Sequence, residues 1–73
     1  MNNVYDVQQL LKKFGAFIYV GNRTASLQMM LAEVTELWDH KLIDSKEYAS
    51  ARLVLLGALR EEENGGIGLW LKN

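Results

Sequence analysis

Apolar residues at Val4, Val7, Leu10, Leu11 and Phe14 recur at helical spacing and predict a first helix over residues 4–14. Asn3 is a good cap for it, and Asp6 in the first turn suits the helix dipole. Lys12 and Lys13 suit its C-terminal end, and Gly15 can take the left-handed position that closes it. Leu27, Met30, Leu31, Val34, Leu37 and Trp38 form a second stripe and predict a helix over residues 23–40, with Asn22 or Thr24 as its cap. Tyr48, Ala51, Leu55 and Leu59 form a third stripe and predict a helix over residues 45–62. Ala49, Leu53 and Leu56 adjoin that stripe, and Val54 and Ala58 widen it. A face this broad needs more cover than two short helices easily provide. The third helix is therefore central, pairs with a second copy, or is covered by the tail. Gly57 costs about 1 kcal/mol relative to Ala in a helix interior. A close helix approach explains it, and so does a harmless small residue.

The sharpest local signal is Leu42-Ile43-Asp44-Ser45-Lys46-Glu47-Tyr48. Asp44 can cap the next turn, and Glu47, three residues on, can reach back to it. Ile43 and Tyr48 stand at the two positions of a hydrophobic staple. One helix ends near Lys41 and another starts at Ser45, and so short a hinge makes the two antiparallel neighbours.

Residues 15–22 are harder to read. Ala16-Phe17-Ile18-Tyr19-Val20 has strand propensity, but no second strand is available to pair with it. The expectation is an extended or single-turn connector whose aromatic side chains partly plug the core. Past the acidic run Glu61-Glu62-Glu63, Asn64-Gly65-Gly66 reads as a breaker and residues 64–73 as a Gly-rich apolar tail. The fold expectation is all-α: a small three-helix bundle over residues 1–63, with that tail behind it.

Composition narrows the function classes. The chain has 73 residues, enough for one domain, and a chain this small buries roughly 60% of its unfolded surface. There are no cysteines, which removes disulfides and thiolate metal sites. No apolar run approaches a membrane span, and Met1-Asn2-Asn3-Val4-Tyr5-Asp6 has no basic region leading into an apolar one. A cytoplasmic protein with no membrane attachment is expected. The net charge of −1 argues against binding polyanions by bulk charge. Residues 1–23 are nonetheless net basic, carrying Lys12, Lys13 and Arg23 against Asp6.

No catalytic residue, metal site or cofactor is expected. His40 is the only histidine, and its neighbours Glu36, Asp39 and Asp44 do not share one point with it, so a solvent-facing ring is the expectation. Ser26, Ser45 and Ser50 lack a nucleophile setting, and Gly15 and Gly21 lack P-loop spacing. Met30 belongs to the core stripe and Met29 to its edge.

Two binding surfaces remain. The segment 12–23 interleaves basic and aromatic residues, as single-stranded nucleic-acid binders do: Lys12, Lys13 and Arg23 for phosphates, Phe17 and Tyr19 as stacking platforms for DNA or RNA bases. The plainer alternative puts the rings in the core and leaves the cations as surface charge matched to the dipole. The needs of a small core favour that alternative from this segment alone. The second surface is the surplus apolar face of the third helix, Val54, Leu55 and Leu56 with Trp70 of the tail, which suits a homodimer or a protein partner.

The chain resembles the YqgQ-like family of small cytosolic proteins of Bacillus-group bacteria over about residues 4–60. The resemblance is carried by Tyr5-Asp6-Val7-Gln8-Gln9-Leu10-Leu11, Gly15, Phe17-Ile18-Tyr19, Gly21-Asn22-Arg23, Glu36-Leu37-Trp38 and Leu42-Ile43-Asp44. It implies a three-helix fold, no known catalytic activity and a suggested role in binding single-stranded nucleic acid, with no functional residues to transfer. The stretch from Glu36-Leu37 through Ile43, Glu47-Tyr48 and Leu55-Leu56 is also similar to the short helical hairpin of bacterial oligomerisation modules (SHOCT-like).

Overall fold

The computed structural model describes residues 1–71, with side chains described through Glu63. It contains α1 (Val4–Lys13), α2 (Arg23–Asp39) and α3 (Ser45–Leu71), and no strand among the described residues. The all-α three-helix bundle expected from the apolar pattern is what forms. α3 runs to Leu71, past the expected end at Glu62. The side chains of the glycine-rich segment, Trp70 among them, lie outside the described residues.

Each helix begins on a side-chain cap. The Asn3 side chain accepts from the Asp6 N–H at 3.0 Å, and the Asn22 side chain from the Ala25 N–H at 2.8 Å. At α3 the cap is reciprocal: the Glu47 N–H donates to Asp44 at 2.7 Å, and the Asp44 N–H donates to the Glu47 carboxylate at 3.1 Å. Ile43, just before this box, is buried, and Tyr48 packs against the core cluster that contains Ile43.

The ends of α1 and α2 close in the same way. Ala16 N–H donates to Leu11 C=O and Gly15 N–H to Lys12 C=O, both at 3.0 Å. Leu42 N–H donates to Leu37 C=O at 2.9 Å and Lys41 N–H to Trp38 C=O at 3.0 Å. Both are Schellman motifs, which require a left-handed residue just past the cap. Gly15 supplies it after α1, at φ 79°; Lys41 supplies it after α2, at φ 61°, where a side chain is disfavoured.

The short hinge makes α2 and α3 antiparallel. Trp38 near the end of α2 stacks on Tyr48 near the start of α3, with centroids 5.1 Å apart and planes 10° from parallel. At the other end of the hairpin, Arg23 Nε of α2 meets Glu62 Oε1 of α3 at 3.0 Å. α1 packs on both helices through Val7, Leu10 and Leu11. The core is completed by Leu27, Met30, Val34 and Leu37 of α2, Ile43 of the hinge, and Ala51 and Leu55 of α3.

The third helix packs against both other helices, which covers part of its surplus apolar face. Leu55 is fully buried (0% exposed), so it belongs to the intramolecular core and not to an outer interaction surface. Val54 and Leu56 are half-buried, and Leu53 is the outward residue at 72% exposure. A Cβ placed on Gly57 meets nothing within 4 Å, so no close helix approach requires that glycine. Gly57→Ala therefore raises stability by about 1 kcal/mol, measured as a higher urea midpoint with unchanged slope.

Candidate nucleic-acid interface

Residues 16–20 form neither a helix nor a strand, and their burial alternates, Ala16 and Ile18 being less exposed than Phe17 and Tyr19. Their backbone is held from below: the Val20 N–H donates to the hydroxyl of the buried Ser26 at 3.2 Å. Gly21, at φ 74°, then turns the chain into the Asn22 cap. An extended chain sends successive side chains to opposite sides. Ala16 and Ile18 accordingly pack against the core, while Phe17 and Tyr19 point away from it. The expectation that the aromatic rings plug the core is corrected here. Phe17 is 74% exposed and Tyr19 86%, and the plugging is done by Ala16 and Ile18. Among the described residues no aromatic ring is fully buried; aliphatic side chains fill this interior.

The two exposed rings border a surface hollow of about 370 Å³ with Lys12 and Tyr5, over a floor that includes Leu11, Ile18 and Met30. A second hollow of about 270 Å³ adjoins it and is lined by Asn22, Arg23 and Ser26. Gln8, Ile18, Tyr19 and Met30 line both.

The structure thus divides the residues singled out from the sequence. Lys12, Phe17 and Tyr19 come together at the first hollow, and Tyr19 and Arg23 at the second. Lys13 does not join them. Consecutive helical positions diverge by about 100°, and Lys13 lines a separate hollow with Lys46, Asp44 and Glu47 at the start of α3. Lys12 has no ion-pair partner among the described residues, whereas Arg23 is paired with Glu62.

Two contributors were not anticipated. Tyr5 (64% exposed) and Gln8 stand on the face of α1 that carries Lys12, at positions i, i+3 and i+7. That spacing was legible in the sequence, as a polar and aromatic stripe flanking the apolar one. Ser26, which holds the connector, left no comparable signal.

His40 lies elsewhere. Its Nε2 is 3.2 Å from the Glu36 carboxylate on an exposed surface. No group of three His, Asp or Glu side chains among the described residues could hold a metal ion. No helix of the described residues is long and apolar enough to cross a membrane.

The chain is 43% identical over 65 residues to the uncharacterized protein YqgQ of Bacillus subtilis (strain 168), a match covering 89% of this chain and 92% of that protein. The YqgQ-like family profile matches residues 1–63, which hold the bundle and both hollows. The chain belongs to the YqgQ-like family.

Proposed function

We propose that the chain is a non-catalytic cytoplasmic protein that binds single-stranded nucleic acid on the face formed by α1 and the 16–20 connector. The observation that carries this reading is the outward projection of Phe17 and Tyr19 beside Lys12. Seating Ala16 and Ile18 against the core turns both rings to solvent, beside the unpaired Lys12. Bases stack on such rings whatever their sequence, while cations at the rim meet phosphates. Only an unpaired strand offers free base faces, so single strands are the ligand and duplexes are not.

The bonded connector presents both rings from one side. With Ser26→Ala, the Val20 amide exchanges faster, stability falls by about 1 kcal/mol, and α2 keeps its protection in hydrogen exchange. Slower binding or lower affinity for single strands follows in the same variant. In fluorescence anisotropy with a labelled single-stranded oligonucleotide, the wild type binds at low salt and weakens as salt rises. Phe17→Ala costs about 1–3 kcal/mol of binding free energy, the range for one stacked base. Lys12→Glu weakens binding, and Lys13→Glu, on the other side of α1, changes it less. An oligonucleotide that fails to bind at low salt overturns the reading.

A second reading rests on Leu53, the most exposed large aliphatic residue among the described ones, with Val54 and Leu56 half-buried beside it. Here the outer face of α3 joins two copies. Light scattering across a concentration series then shows a dimer that Leu53→Glu dissociates without unfolding. Leu55→Glu is no test, because it places a charge in the core. A strict monomer at high concentration counts against this second reading.

A further inference from the structure

The two hollows share one wall. Gln8, Ile18, Tyr19 and Met30 line both, while Lys12 lines only the first and Arg23 only the second. At about 370 and 270 Å³, each lies at or below the small end of the size range for ligand pockets. Neither is a channel for a long stack of bases; each suits one planar ring on an apolar floor. The Tyr19 side chain, 86% exposed, borders both, and of the four shared residues it is the aromatic one. The Gln8 amide makes no hydrogen bond among the described residues, and it offers a donor and an acceptor to either side.

We infer that the face holds two consecutive nucleotides of a single strand, one base in each hollow, with the Tyr19 ring wedged between them. Lys12 and Arg23 meet the phosphates at the two ends of this step. The inference deepens the single-strand reading and depends on it. It fixes the footprint at two nucleotides and makes Tyr19, not Phe17, the dominant ring, because Tyr19 touches both bases and Phe17 one. It also gives the Arg23–Glu62 pair a consequence. Glu62 competes with the incoming phosphate for the guanidinium, so Glu62→Gln tightens binding.

The test is a length series of oligothymidylates from one to twelve nucleotides, competed against a labelled twelve-mer on the full chain. The expected result is a rise of about tenfold or more in affinity from one nucleotide to two or three. Beyond that, only the statistical gain from added positions remains. The salt slope is about −1.4, for two phosphates on a single strand. Tyr19→Ala, which removes contacts to both bases, loses several-fold more affinity than Phe17→Ala. Both rings are exposed, and circular dichroism confirms that the two variants remain folded. An affinity that climbs steadily through eight or more nucleotides overturns the two-nucleotide footprint and leaves single-strand binding intact. So does a Tyr19→Ala loss no larger than that of Phe17→Ala. A twelve-mer that does not bind removes both proposals together.

Discussion

Peptide groups at helix ends need partners, and the caps at Asn3, Asn22 and Asp44 and the closures of α1 and α2 supply them from within a few residues. That constraint sets the architecture. The Asp44–Glu47 exchange starts α3 four residues after the last carbonyls of α2 are closed by Lys41 and Leu42. No room remains for a wandering loop, so α3 must fold back along α2. The same closure at Gly15 and Ala16 ends α1 and releases the chain in an extended direction across the core. Packing then selects among few arrangements: ten buried apolar side chains drawn from three helices and one hinge residue.

The connector shows how a local constraint becomes a surface. Its burial follows the two-residue alternation of an extended chain, and the core takes the smaller and aliphatic members, Ala16 and Ile18. Once those two are seated, Phe17 and Tyr19 have no inward path. Shifting the register by one residue would bury the rings and expose the aliphatics. It would also move the Val20 amide away from Ser26, whose hydroxyl lies 3.2 Å from it. One buried hydroxyl thus helps set the register that determines which side chains meet solvent.

What the sequence disclosed, and what it withheld, follows from the same physics. Caps are local, so Asn3, Asn22 and Asp44 could be read directly, and the helices they start lie at the expected places. Gly15 announced its left-handed turn. Lys41 did not, because a lysine takes positive φ only when the surrounding hydrogen bonds hold it there. The direction of Phe17 and Tyr19 was hidden because all of 16–20 is apolar, and an alternation without polar members does not state which side is inside. Helix three posed a related difficulty. With Leu53, Val54, Leu55 and Leu56 in a row, periodicity set Leu55 on the main stripe with Ala51, where both are buried, but did not show how far the adjoining residues are covered. The divergence of Lys12 from Lys13, by contrast, is simple helical geometry. It separates two cations that adjacency in sequence suggests should act together.

Charge explains why such a face would choose its ligand by base exposure and not by phosphate density. The chain carries net −1, and of the two cations that border the hollows Arg23 is already held by Glu62. A duplex offers phosphates in abundance but keeps its base faces stacked away, so it would meet only Lys12 and a partly neutralised Arg23. An unpaired strand adds the stacking of bases on exposed rings, and each such contact is worth more than one screened surface charge. Raising salt weakens the phosphate contribution and leaves the stacking largely in place. Discrimination between single and double strands would therefore grow with ionic strength, the opposite of what a basic polyanion-binding patch gives.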